Sequence, residues 1–200
     1  MKKALWVLLV LMGLLYMGGC RERENDQPIE DPLQAAIDEL NDASSYTMEI
    51  LFETDDESFP MNVRVTRTAV RVEALDEIVF YSVDGDLCHA YERIAGVWTR
   101  FETSCSEKGT AELAFLNNFS ADYFVKNTED DQTVYVLKME FYTQLSQFLG
   151  GSNTQNFRMI LHDDSIHMIH FQMTRNDIVF QVSIEIKQIN STTVSLPVIE

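Results

Sequence analysis

From residue 45 onward, apolar and polar side chains alternate with a period of two, and few folds accommodate that pattern. The clearest stretch is the last: Ile178, Phe180, Val182, Ile184 and Ile186 alternate with Gln181, Ser183, Glu185 and Lys187. Successive side chains of an extended strand point to opposite faces, so such a segment is a half-buried strand rather than a surface helix. The same pattern runs through Tyr46, Met48, Ile50 and Phe52, then Met61, Val63 and Val65, then Val70 and Val72, then residues 78–83. Asp84-Gly85 supplies a tight turn, since glycine accepts a positive φ. Further strands are predicted near 87–94 and 97–104, joined around Ala95-Gly96, and near 122–127, 133–139, 155–162, 166–174 and 178–188. The short connections make this a meander of antiparallel strands.

Three segments break the alternation. Asp31-Pro32 is a helix start, because Asp caps the first free N–H groups and Pro suits the first helical position. Leu33, Ala36, Ile37 and Leu40 then recur at helical spacing. Residues 110–117 read as a second, short helix. Phe141, Leu145, Phe148 and Leu149 mark a third, stopped by Gly150-Gly151. An open sheet of about eleven strands curls rather than lying flat. The expected fold is α+β: a strongly curved antiparallel sheet, an open half-barrel, with about three helices over its concave face. A closed sandwich is the alternative. The hydrophobic fraction of 46% suffices for a real core.

The first twenty residues have a different character. Lys2 and Lys3 precede a fourteen-residue apolar run, Ala4 to Met17. That is shorter than the roughly 20 residues a membrane-spanning helix needs, and it fits a signal-peptide core. Met17-Gly18-Gly19-Cys20 resembles a bacterial lipobox, with Met17 where Leu is usual. The resemblance implies cleavage after residue 19 and a diacylglyceryl group on the Cys20 thiol, so that the mature protein sits on the extracytoplasmic face of a membrane. Two acyl chains anchor stably where one does not. Residues 21–31 (RERENDQPIED) then form a polar tether. The expected organisation is a signal peptide at 1–19, lipidated Cys20 and tether at 20–31, and a domain at 32–200.

The opening helix running straight into Ser45-Tyr46-Thr47-Met48-Glu49-Ile50, the strand meander to residue 104 and the closing Ile189-Asn190-Ser191-Thr192-Thr193-Val194-Ser195-Leu196-Pro197 carry a second resemblance. Over about residues 32–197 the order is similar to the LolA-like lipoprotein-carrier fold, which the mycobacterial lipid-carrying lipoproteins share; the closing segment is similar to their β-type, Leu-Pro-ending tails. The resemblance implies a non-catalytic function: holding a lipid or other apolar ligand in a cavity, with no cofactor. On this reading Met48, Ile50, Phe52, Val63, Val65, Phe80 and Tyr81 line the cavity. The alternative is a filled core in a protein-interaction or envelope-associated module.

Other chemistry is poorly supported. Cys88 and Cys105 fall on neighbouring predicted strands. With a Gly96-Val97 turn they lie directly opposite, and with an Ala95-Gly96 turn they share a face but are offset by two residues. A structural disulfide is expected, with two free thiols as the alternative. His162, His167 and His170 surround Asp163-Asp164-Ser165, which reads as a hairpin turn. On a regular strand His167 and His170 point to opposite faces, so no metal site is expected. No nucleophile, phosphate-loop or metalloprotease motif occurs, and no catalytic residue is assigned. The net charge of −17 becomes −19 without residues 1–19, which hold two lysines and no acid. Such a surface repels phosphate backbones, so the expected partners are the membrane, through Cys20, and an apolar ligand, with no nucleic acid and a monomeric chain.

Overall fold

The computed structural model describes residues 31–105, 116, 118–129, 132–149 and 153–199. Residues 31–200 form one compact unit. The expected signal peptide at 1–19, Cys20 and the tether lie outside the described residues, except Asp31, the tether's last expected residue, which caps the first helix.

The chain begins with helix α1 (Pro32–Asp42), where Asp31 Oδ1 accepts the Leu33 N–H at 2.8 Å. The stripe Leu33, Ala36, Ile37 and Leu40 is buried. Six strands follow as consecutive hairpins: β1 (Ser45–Glu53), β2 (Ser58–Thr66), β3 (Ala69–Ala74), β4 (Glu77–Asp84), β5 (Leu87–Ile94) and β6 (Val97–Thr103). Then come β7 (Phe124–Glu129), β8 (Gln132–Leu137), helix α2 (Tyr142–Phe148), β9 (Asn153–His162), β10 (Ser165–Arg175) and β11 (Ile178–Lys187). Among the described residues there are two α-helices where three were expected. The one expected at 110–117 falls outside them except for Leu116, which is buried in the core. None of the described helices is long and apolar enough to cross a membrane.

All eleven strands join one antiparallel sheet in the order β6-β5-β4-β3-β2-β1-β11-β10-β9-β8-β7. The sheet is not closed. Two meanders, β1–β6 and β7–β11, meet where β1 pairs with β11, Met48 opposite Ile186 and Ile50 opposite Ile184. The chain therefore passes from one edge of the sheet to the other between β6 and β7. Of that connection, Phe119 is buried and the Ala121 N–H donates to Gln34 Oε1 of α1 at 3.0 Å.

Both helices pack on one face of the sheet, here the inner face. Leu33, Ile37 and Leu40 of α1 and Leu145 of α2 share one core with Met48, Val63, Val65, Val70, Ile169, Val182, Ile184 and Ile186. Phe157 stacks on Phe119 and Phe171 within it. Ser165 Oγ donates to Glu39 Oε2 at 2.7 Å and links α1 to β10. The closing segment at 189–197 adds no strand to the sheet. Its start clamps the beginning of β1: the Asn190 N–H donates to the Ser45 carbonyl at 2.7 Å, and the Thr47 and Thr192 hydroxyls share a bond of 2.8 Å. Further on, Val194 and Leu196 lie beside Ala69, Ser82, Tyr91 and Arg100.

Candidate functional site

The inner face has two parts. Beneath the helices it is sealed from solvent: Met48 and Val63 are 1% exposed and Val65 is 5% exposed. Towards the end of β1 the packing loosens. Ile50 and Phe52 of β1, Met61 of β2, Val72 of β3, Tyr81 of β4, and Met173 and Phe180 of β10 and β11 are only half-buried against the core. Register joins them: Ile50 faces Met61, Phe52 faces Val182, and Met173 faces Phe180. Phe52 and Phe180 meet edge to face at 6.5 Å between ring centres. Alternation sets which residues project inward, and α1 is too short, at about 16 Å, to cover eleven strands about 4.8 Å apart.

Six of the seven expected lining residues are therefore on the inner face, three buried and three half-buried. Phe80 is not. It neighbours Tyr81 on one strand, and adjacent strand residues cannot share a face. Phe80 belongs to the outer face, in register with Arg71 and Tyr91, and its ring packs against Trp98 at 5.3 Å. The half-buried set also includes Met61, Val72, Met173 and Phe180, which were not singled out as lining. The alternating runs containing Met61, Val72 and Phe180 carried the signal that could have found them.

Cys88 and Cys105 form a disulfide, with Cα atoms 5.1 Å apart. The strands take the Ala95-Gly96 turn, with Gly96 at φ +88, so Cys88 lies opposite Thr103 and the bridge runs diagonally to a residue just beyond β6.

The histidines depart from the expectation of opposite faces. The β9–β10 register shifts between Ile166 and Met168, a bulge that places His167 out of phase. His167 Nε2 lies 3.8 Å from Glu185, and His170 Nδ1 shares a 2.9 Å hydrogen bond with Ser183 Oγ. Ser183 and Glu185 are two residues apart on β11, so both histidines project from the outer face. Among the described residues no three His, Cys, Asp or Glu side chains are grouped to hold a metal ion. Glu49 and Glu185 both bond Lys187 Nζ, at 2.7 and 2.9 Å, and hold its ammonium above the ordinary lysine range.

Burial, and secondly the Arg158 guanidinium across the β9–β10 ladder, push the His170 imidazole below its ordinary pKa. The folded protein thus takes up that proton less readily than the unfolded chain does. Below the unfolded value, about 6.5, the unfolded state binds more protons and stability falls with pH. His170→Gln should flatten the decline in urea midpoint between pH 7.5 and 5 relative to wild type. Parallel curves for the two proteins would contradict this.

No protein-family model matches the chain, and neither does any curated protein.

Proposed function

We propose that this is a membrane-anchored, extracytoplasmic lipoprotein whose domain binds a lipid or other apolar ligand, without catalysis, on the inner face of a strongly curved half-barrel. The observation that carries the reading is the half-buried row of Ile50, Phe52, Met61, Val72, Tyr81, Met173 and Phe180, beyond the reach of α1. An apolar ligand laid along it would remove that surface from water, worth roughly 25 cal/mol for each Å² covered. Met61 and Met173 suit ligands of varied shape, since an unbranched thioether repacks at little cost. The anchor rests on Cys20 and its flanking residues. The near-complete burial of Met48 and Val63 favours the second reading, an interaction module with a filled core.

Native mass spectrometry of the protein extracted from its own host tests both parts. The expected species starts at Cys20, carries a covalent diacylglyceryl group and also holds a lipid that collisional activation removes. Phe52→Asp should lose the removable lipid and keep the covalent one. A wild-type protein free of removable lipid, and unable to take up a fluorescent fatty acid, would leave the filled-core reading in its place.

A further inference from the structure

Leu75 occupies the tip of the β3–β4 hairpin, where the backbone turns through φ +53 and the side chain is 72% exposed. Asn or Gly takes that conformation more readily than a bulky residue. An aliphatic group here gains nothing for folding, from burial or from backbone geometry. It lines one cleft and adjoins a second. The first, of about 550 Å³ and mostly on the outer face, has Leu51, Pro60 and Met168 as apolar walls, Glu49, Glu73 and Glu185 as acids, and Ile50 and Met61 at its border with the inner row. The second, of about 380 Å³, starts at the next turn residue, Asp76, and combines Ile78 and Trp98 with Glu77, Glu92 and Arg93. Ile94 and Val97, each about half exposed, form the next hairpin tip.

Two nearby cations are already paired: Lys187 is held by Glu49 and Glu185, and Arg71 lies 2.8 Å from Glu73. Arg93, whose Nε donates to the Gly96 carbonyl, keeps its charge in the second cleft, where it faces three acids. Acids and apolar groups thus dominate what the surface offers, in a chain of net charge −17. Arginine and lysine match both, laying an aliphatic stem on apolar walls while the head reaches carboxylates. The Trp98 ring is a further acceptor for a cation. An anionic membrane surface is a poor fit, because its headgroups would meet like charge.

We propose that the hairpin end around Leu75 is a docking surface for a partner polypeptide segment in which arginine or lysine alternates with aliphatic residues. The larger cleft borders Ile50 and Met61 of the inner row, but Leu75 is not part of that row, so the role of the hairpin tip is tested apart from what the inner face holds.

The probe is acetyl-(Arg-Leu)3-amide, titrated into the ¹⁵N-labelled full-length chain. Amide shifts are expected at Leu51, Glu73 and Leu75 and at the Trp98 indole. Leu75→Asn, which suits the turn, should weaken binding about tenfold, the loss of roughly one buried aliphatic contact, with no fall in thermal midpoint. Glu77→Gln/Glu92→Gln should weaken it too, and acetyl-(Arg-Ser)3-amide should bind wild type no better than the first peptide binds the Leu75 variant. Shifts spread evenly over distant acids such as Glu39 and Glu129 would overturn the proposal. So would affinity indifferent to Leu75, or Leu75-dependent binding to phosphatidylglycerol vesicles in preference to the peptide. Lipid retained on the inner face should be the same in Leu75→Asn as in wild type, which keeps failure here distinct from failure of the ligand reading.

Discussion

Ile184→Asp is expected to abolish the cooperative thermal transition of the domain. Ile184 is 5% exposed and sits between Ile50 of β1 and Ile169 of β10. Losing its burial costs roughly 1.5–3 kcal/mol. A carboxylate in the same place adds several kcal/mol more, because no described cation faces it from the inner side. Together these approach the whole stability of a typical domain, about 5–15 kcal/mol. The position aggravates the loss. β11 is last in sequence but joins the two meanders, so weakening it separates β1–β6 from β7–β10. The control lies on the same strand: Ile178 is 50% exposed, past the end of β1, and Ile178→Asp should cost about 1 kcal/mol or less. Circular dichroism melts of the two variants decide the matter. If Ile184→Asp melted like wild type, β11 would not be a core strand.

The same strand marks the limit of what alternation encodes. The pattern from Ile178 to Ile186 gives two faces and a length, and the structure has both. It does not say that β11 lies beside β1, because any strand with one apolar face can pair with any other. That adjacency depends on bringing together segments about 130 residues apart, which no local pattern encodes. Parity fails in one further place and was passed over in another. At His167 an inserted residue breaks the count, so a histidine expected on the face opposite His170 shares its face. At Phe80 and Tyr81 the count itself separates two aromatic neighbours that hydrophobicity alone grouped together. The half-buried row on the inner face was only partly legible, because exposure there depends on where α1 stops. No single strand's pattern contains that information.

Removing the disulfide should destabilise the protein by about 3 kcal/mol, the chain-entropy value for a loop closed by residues 17 apart. The double variant Cys88→Ala/Cys105→Ser isolates the effect without leaving a free thiol. For a domain of this size the expected fall in thermal midpoint is about 10 °C. A reducing agent should bring wild type down to the same midpoint and leave the variant unmoved. The site argues for a local loss before a global one. β6 is an edge strand paired on one side only, with Val97 and Phe101 exposed, and it lies five strands from β1. Little buried apolar surface holds it, so the bridge to Cys88, itself 2% exposed, supplies much of its attachment. Hydrogen exchange should therefore quicken first in β5 and β6, while β1, β10 and β11 keep their protection at low denaturant. Uniform acceleration across all eleven strands would instead mean that the sheet opens as a single unit and that the bridge acts on the unfolded chain as a whole.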